Sequence, residues 1–288
     1  MIKILAPAKI NLGLAVYRRR EDGYHEIGTL FQAVDVCDEL EMRVTDQGID
    51  LDCEGEPAPE GRENIAWQAA ELFFSHLGSR PGVHMRLRKH IPVAAGLGGG
   101  SSDAAAVLKG LNQLHFFPIS EDDLLEMGAQ LGADVPFFLF GSSALGQGIG
   151  TRLTRTAPLS EVWVVIVNPG FPISTKWVYN HIDTDLLLTK EPDHIKMLRL
   201  FLKKRDLPQI GLYLHNDLES VVRKKYPIID ELKNRLLSAG AVGAIMSGSG
   251  ASVFGIFSDY LRAKKAYSCL KTQNDMWKVF LTRPYVMA

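Results

Sequence analysis

A glycine run followed by two serines is the feature of this sequence best suited to bind an anion. Four of the five residues from 96 to 100 are glycines, and Ser101 and Ser102 follow them. Glycines let backbone amides approach an oxyanion without obstruction, and the positive end of a helix dipole favours the same negative charge. A turn that is only structural needs one or two glycines, so the segment predicts a phosphate-binding loop.

This loop differs from the two common nucleotide-binding motifs. No Gly-Lys-Ser or Gly-Lys-Thr follows the glycines, as a Walker A loop requires, and Ser101 stands where GxGxxG needs its last glycine. A later cluster with Gly248 and Gly250 fails GxGxxG at Val253. That cluster could form a second anion-facing turn or an ordinary hairpin.

Two charged residues stand beside apolar segments. Asp134 precedes the run Val-Pro-Phe-Phe-Leu-Phe, where desolvation or a neighbouring cation would tune its carboxylate, and Lys9 belongs to an apolar strand. A turn-forming aspartate next to a proline and a lysine that extends to an edge are the ordinary explanations. The residues alone leave both interpretations open.

An adjacent aromatic ring and imidazole lie in the polar segment Glu-Asp-Gly-Tyr-His-Glu. Tyr24 could stack on a base and His25 could bond to the edge of that base. Exposed turn residues explain the pair equally well, so the segment alone does not establish a base-binding site.

Elements on both sides of the glycine run must position it. Residues 83–89 alternate like a strand, and the segment after the glycines is alanine-rich like a helix, so the pattern is strand, glycine loop, helix. Asn64 can cap an earlier helix, and Ser120 can cap a later one that Gly132 ends just before Asp134.

The start of the chain predicts a strand that carries polar residues on one face. Residues 8–16 alternate apolar side chains with polar or small ones, which places Lys9, Asn11 and Gly13 on a common face. A continuous apolar strand over residues 162–167 ends at Asn168-Pro-Gly, which places a change of domain near residue 158. We therefore expect two domains, one over residues 1–157, which contains the glycine run, and a second over residues 158–288.

Composition narrows the class of protein. The chain has 288 residues, 46% of them hydrophobic, with 32 Lys+Arg against 33 Asp+Glu, which is typical of an ordinary soluble globular protein and excludes disorder and coiled coil. A net charge of -1 argues against nucleic acid as a partner. Three cysteines far apart, no signal peptide and no apolar membrane span predict a cytoplasmic protein without a membrane partner.

Three segments in order resemble the motifs of the GHMP kinases, the superfamily of galactokinase, homoserine kinase and mevalonate kinase. They cover residues 7–12, 92–106 and 246–253. Within that superfamily, the expanded Gly-Leu-Gly-Gly-Gly-Ser-Ser-Asp, together with Asp-Gly-Tyr-His-Glu and Gly-Ala-Asp-Val-Pro, is most similar to kinases of a cytidine-diphosphate sugar alcohol. The resemblance extends over nearly the whole chain.

This resemblance implies a fold and a reaction. It implies a two-domain α/β fold with ATP and substrate between the domains, and transfer of the γ-phosphoryl group of ATP to the 2-hydroxyl of the sugar alcohol, with Mg2+ as cofactor. Asp134 would be the general base, Lys9 its charged partner, and Asn11 would line the substrate side.

The same resemblance assigns binding residues. The triphosphate would be held by Gly96, Leu97, Gly98, Gly99, Gly100, Ser101 and Ser102. Asn64 and Lys89 would lie near the adenine nucleoside, and Ser102 is a candidate metal ligand. Cytosine would be bound by Tyr24, His25 and Tyr179, although the nearby Trp177 could take the place of Tyr179.

Two alternatives remain beside this interpretation. One keeps the fold and changes the acceptor to that of a homoserine- or mevalonate-type kinase, but the Asp-Gly-Tyr-His segment then has no base to bind. The other is a non-catalytic nucleotide sensor, which would require the loss of Lys9 or Asp134. Both residues are present.

Overall fold

The computed structural model of this α/β chain describes residues 1–78, 81–182 and 193–286. It divides into two compact units, each assembled from separate stretches of sequence. The first unit comprises Met1–Ala8, Val36–Val93 and Gly98–Gly141, and the second comprises Lys9–Asp35, Ala94–Leu97 and Ser142–Ala288. The boundary expected between residues 157 and 158 stays a prediction.

The first unit packs helices on a small sheet. The end of strand β2 (His25–Thr45) pairs antiparallel with β4 (Gly82–Lys89), and β3 (Ile49–Gly55) lies parallel to β4. The helices are α1 (Ile65–Leu77), α2 (Gly99–Leu114), α3 (Glu121–Leu131) and α4 (Val135–Phe140). Helix α2 packs closely, because a Cβ at Gly110 would lie 2.0 Å from Cε of Met42.

The second unit contains an antiparallel sheet with helices around it. Its strand order is β11-β7-β10-β9, from Lys278–Thr282, Trp163–Asn168, Val253–Phe257 and Gly243–Met246. The core includes the buried side chains of Val165, Val167 and Phe257. Its helices are α5 (Thr175–Asn180), α6 (Asp193–Lys204), α7 (Leu207–Tyr213), α8 (Glu219–Lys225), α9 (Ile228–Ser238) and α10 (Tyr260–Gln273).

Further strands of the second unit run beside the beginning of the chain. Strand β1 (Ile2–Arg19) pairs in parallel with the short β8 (His215–Asn216). The first part of β2 pairs antiparallel with β5 (Ser143–Gly148), which also pairs with β6 (Arg152–Arg155).

The local sequence signals are confirmed. The Asn64 side chain caps α1 by accepting from the Ala66 amide, and Ser120 caps α3 by accepting from the Asp123 amide. The strand expected near the start is longer than residues 8–16, and its residues 6–16 are buried on both faces. The alternation there correctly predicts which side chains are polar and which are apolar on each face, but both faces are buried in the protein.

Across the described ranges, no helix combines the length and the apolar character needed to cross a bilayer.

Candidate active site

The glycine run ends in the first turn of α2. Gly98 has a left-handed backbone, with φ at 71°, and occupies the N-cap. The first helical bond runs from the Ser102 amide to the Gly98 carbonyl, so the amides of residues 99–101 precede the first intrahelical bond. Three amides and the positive end of a 16-residue helix therefore lie in one turn, as a phosphate site needs.

Packing requires glycine at two positions of this run. A Cβ at Gly96 would lie 2.1 Å from the carbonyl oxygen of Ser247, and a Cβ at Gly99 would lie 2.9 Å from Cγ2 of Ile91. At Gly100 the nearest such contact is an ordinary 3.4 Å. The structural explanation therefore accounts for Gly96 and Gly99, and Gly100 is the position where close packing does not demand glycine.

Ser102 has the properties of a ligand-binding hydroxyl. Its Oγ is buried and has no hydrogen-bond partner among the described residues, with 1% of the residue exposed. Buried hydroxyls in native structures usually have a partner, so this atom is suited to bind a phosphate oxygen or a hard cation. Mg2+ fits this donor, and Ser102 stays the candidate ligand.

Asp134 stands at the N-cap of α4, half-buried. Within the described part of the chain its carboxylate makes no capping bond to the helix amides. The catalytic role of Asp134 stays a prediction.

Lys109 of α2 supports α4, the helix that Asp134 precedes. Its Nζ donates to the carbonyl oxygen of Phe138 at 2.7 Å, near the C-terminal end of α4. Burial lowers the pKa of Lys109 to about 8. Helix α2 therefore both presents the first-turn amides and holds α4.

The titration of Lys109 gives a prediction for stability. Its pKa is about 8 in the folded chain against 10.5 in the reference state, so the unfolded chain binds more protons between these pH values. Unfolding free energy should therefore rise with pH in this window, and Lys109→Met should lack this rise. Urea unfolding of both proteins from pH 7.5 to 10.5 checks it, and a wild-type-minus-mutant difference that stays flat would contradict it.

Lys9 begins a chain of buried hydrogen bonds in the second unit. Its Nζ donates to Oδ1 of Asn11 at 2.7 Å, and Nδ2 of Asn11 donates to Oγ1 of Thr29 at 2.8 Å. The Thr29 hydroxyl in turn donates to the Gly13 carbonyl at 2.8 Å. Because each bond orients the next group, the ammonium and the amide are held together on one face of β1, as the alternation predicts.

The later glycine cluster, residues 247–250, forms the loop of the β9–β10 hairpin beside Lys9. Gly248 has φ at +55°, and a Cβ there would lie 3.2 Å from Nζ of Lys9 and from Oδ1 of Asn11. The Ser247 hydroxyl donates to the Gly96 carbonyl at 2.9 Å, and the Lys9 amide donates to the Leu97 carbonyl at 2.9 Å. Parts of all three motifs thus meet within the second unit.

The proposed cytosine residues also lie in the second unit. The rings of His25 and Tyr179 are stacked, with centroids 5.3 Å apart and planes 28° from parallel. Trp177 instead packs on His181 and under Nζ of Lys225. Tyr179 thus lies beside His25, and Tyr24 is exposed in the adjoining turn. The choice of Tyr179 over Trp177 as the aromatic partner stays a prediction.

His25 is poised to be uncharged. Burial lowers the pKa of its imidazole, and the charge of Arg19 lowers it further. A neutral imidazole has one donor and one acceptor nitrogen, which suits the mixed edge of a base.

The two residues expected near the nucleoside have protein partners. Lys89 is 3% exposed and forms ion pairs with Asp38 and, at 2.5 Å, with Asp103. Asn64 caps α1 and donates to the Pro59 carbonyl at 2.9 Å. Their nucleoside contacts stay a prediction.

Sequence reasoning missed the carboxylates around Lys89. Oδ1 of Asp38 accepts from the amides of His90 and Ile91 at 2.5 and 2.8 Å, and burial raises the pKa of Asp103 to about 8, although the Lys89 ammonium opposes this. A charged residue inside an alanine-rich helix was the available signal for Asp103. Asp38, 51 residues from Lys89, has no such signal.

Family models match two parts of the chain. The model of the GHMP kinases N terminal domain matches residues 64–142, and that of the GHMP kinases C terminal matches residues 197–275. Among solved structures, a homoserine kinase from Cytophaga hutchinsonii has a TM-score of 0.77 at 22% identity, with 98% of this chain and 94% of that chain covered. At this identity the match shows a shared fold alone.

Two relatives match more of the sequence. A protein of Syntrophus aciditrophicus named 4-diphosphocytidyl-2-C-methyl-D-erythritol kinase is 48% identical over 98% of this chain and 99% of its own length. A crystal structure of 4-(cytidine 5'-diphospho)-2C-methyl-D-erythritol kinase has a TM-score of 0.83 at 36% identity, with 98% of each chain covered. Such identity over nearly the full length means that the chain belongs to the GHMP kinases and, among them, to the 4-diphosphocytidyl-2-C-methyl-D-erythritol kinase family.

Proposed function

We propose that this kinase transfers the γ-phosphoryl group of ATP to the 2-hydroxyl of 4-diphosphocytidyl-2-C-methyl-D-erythritol, giving the 2-phosphate and ADP in the non-mevalonate isoprenoid pathway. The observation that carries this proposal is the stacked pair of His25 and Tyr179 in the unit that also holds Lys9 and Asn11. A neutral imidazole beside an aromatic ring suits a cytosine, whereas the ammonium and amide suit a hydroxyl-rich acceptor.

The chemical step needs a base, a charge and an oriented acceptor. Asp134 accepts the proton of the 2-hydroxyl as that oxygen attacks the γ-phosphorus, and ADP leaves from the opposite side. Lys9 provides positive charge that orients the attacking oxygen, and Asn11 lines the substrate side with its amide fixed by Thr29. Mg2+ bound with ATP, with Ser102 as its candidate ligand, would neutralise charge on the phosphates.

Nucleotide binding is assigned to the glycine segment. The amides of residues 99–101 and the hydroxyls of Ser101 and Ser102 bind the triphosphate, supported by the dipole of α2. Gly96, Leu97 and Gly98 complete the loop, and Asn64 and Lys89 lie on the nucleoside side. The expected partners are therefore two small molecules, ATP and the cytidine-diphosphate sugar alcohol.

A cytoplasmic location is part of the same proposal. Cys37, Cys53 and Cys269 form no disulfide within the described ranges, as a reducing compartment allows.

The discriminating experiment compares acceptors. The cytidylylated alcohol and free methylerythritol are each incubated with ATP and Mg2+, with phosphorus NMR of the product and measurement of kcat/KM. The free alcohol should be a poor acceptor, because binding energy from the base contributes to catalysis at the remote hydroxyl. Comparable kcat/KM values, or preferential phosphorylation of homoserine or mevalonate, would refute the assignment.

Substitutions at Tyr179 separate stacking from other roles. Tyr179→Phe retains the ring and should leave KM for the cytidylylated alcohol almost unchanged, whereas Tyr179→Ala should raise KM about 5- to 150-fold, the equivalent of ~1–3 kcal/mol per stacked base. KM for ATP and the melting temperature are measured in parallel.

Trp177→Ala is the matched control for Tyr179→Ala. Both side chains are partly buried against the core of the second unit, but Trp177 packs on His181. We expect the Trp177 variant to lose thermal stability without a selective rise in KM for the cytidylylated alcohol. A harmless Tyr179→Ala beside a selective KM defect in Trp177→Ala would show that Trp177 covers the base.

A further inference from the structure

Asn216 connects β8 to the 247–250 loop. It is 6% exposed, and its Nδ2 donates to the carbonyl oxygens of Met246 and Gly248 at 2.8 and 2.9 Å. Its Oδ1 accepts from the Leu218 amide at 3.0 Å. Both donor hydrogens and the acceptor oxygen of this buried amide are therefore used, so its orientation is fixed.

The segment around Asn216 is anchored to the strand that carries Lys9. In the parallel pairing of β1 and β8, Leu14 lies opposite Asn216. The Asp217 amide donates to the Leu14 carbonyl at 3.0 Å, and Oδ2 of Asp217 accepts from the Val16 amide at 2.8 Å. The glycine loop is thereby tied to β1 through a rigid, fully paired segment.

A second side chain from the same segment holds the beginning of the loop. Oε2 of Glu219 accepts from the Met246 amide at 2.9 Å, and its other oxygen pairs with Lys233. Both the amide and the carbonyl of Met246 are thus bound from the 216–219 segment. Within the 247–250 loop, the Gly248 carbonyl is held by Asn216, while Ser247 bonds to the carbonyl oxygens of Gly96 and Ser252.

The position of Gly248 matters because the loop has no free space toward Lys9. A single Cβ at Gly248 would already lie 3.2 Å from Nζ of Lys9 and from Oδ1 of Asn11. A displacement of this backbone would therefore move the ammonium or the amide that orients it. We propose that Asn216 is a positioning residue for the phosphoryl transfer, holding the 247–250 loop so that it sets the location of the Lys9 ammonium.

This inference rests on the proposed function of Lys9, and Asn216→Asp tests it. The variant retains an acceptor for the Leu218 amide but directs an oxygen at two carbonyl oxygens, so the loop must move. Misplacement of a reacting group by about 1 Å can cost about 10²-fold, and we expect kcat to fall about 10- to 100-fold. KM for ATP and for the cytidylylated alcohol should change less than about threefold.

Asn112→Ala is the matched control. Asn112 is also a buried asparagine, and it bonds to both the amide and the carbonyl of Ile119, at 3.0 and 2.9 Å, in the first unit. Its loss should lower the melting temperature to a similar degree and leave kcat unchanged. Equal kcat values for wild type and Asn216→Asp, with only a lower melting temperature, would overturn the positioning role.

A readout without substrate separates this inference from the proposed function. In protein labelled with 13C-lysine, the Lys9 Cε signal, assigned by its loss in Lys9→Arg, should shift in Asn216→Asp and stay in place in Asn112→Ala. An unchanged Lys9 signal would refute the inference even if wild type turns over the cytidylylated alcohol. If wild type were inactive but the Lys9 signal still shifted in Asn216→Asp, the proposed function would be refuted and the inference would stand.

Two further variants complete the test. Gly248→Ala crowds Lys9 directly, so its effect on kcat and that of Asn216→Asp should be less than additive in the double mutant. Strict additivity would mean that Asn216 acts elsewhere. Asn216→Ser introduces no carboxylate repulsion and gives the same readouts if the aspartate variant does not fold.

Discussion

Replacing Asp134 with asparagine should lower kcat at least about 100-fold and leave ATP affinity nearly intact. The amide retains the shape of the side chain but cannot accept the proton of the 2-hydroxyl. General-base catalysis contributes ~10²–10⁴-fold, and the loose transition state of phosphoryl transfer argues for the lower end of that range. Helix α4 should survive, because in the described structure the carboxylate does not cap it.

Three measurements separate this catalytic role from a structural one. The rate of ADP release gives kcat, a nucleotide titration gives the dissociation constant of ATP, and thermal unfolding gives the stability. Asp206→Asn is the control, since Asp206 caps α7 by accepting from the Gln209 amide and asparagine caps equally well. If kcat of Asp134→Asn stayed within about twofold of wild type, Asp134 would be only a turn residue.

Lys89→Met should have the largest effect on stability. The ammonium is buried between Asp38 and Asp103, so its removal leaves two acidic side chains without a cation in the core of the first unit. Breaking a buried ion pair from one side costs about 3–5 kcal/mol. Chemical denaturation should show a loss of that size, because methionine fills a similar volume but carries no charge.

A second substitution tests the electrostatic cause of that loss. Asp103→Asn added to Lys89→Met removes one of the two acidic side chains that lost their cation and should recover part of the stability. The recovery need not be complete, since Asp38 still binds the amides of His90 and Ile91. A loss below about 1 kcal/mol in Lys89→Met, or no recovery in the double mutant, would contradict the buried-charge explanation.

Strand β1, which carries Lys9, shows what the alternation of polar and apolar residues predicts correctly and what it does not. Period-two spacing correctly places Lys9 and Asn11 on one face of β1, because successive side chains of a strand point to opposite sides. The same spacing suggests a solvent-facing side, but that face is buried as well. Elements that cover this face include α6, β8 and the 247–250 loop, all from the second half of the sequence.

Local chemistry was sufficient wherever the partner lies within a few residues. The caps at Asn64 and Ser120 follow from side chains that bond to amides two or three residues ahead, and the glycine run ends in a helix N-terminus as its composition predicts. The two ion pairs of Lys89 and the bonds from Asn216 join residues 14 to 51 positions apart. Their formation depends on which strands pair and which groups become buried. The sequence by itself therefore determined the motifs and their local geometry, but not these distant partners. Only the tertiary structure decided which buried groups hold those motifs in place, because desolvation makes partners necessary only after the chain has packed.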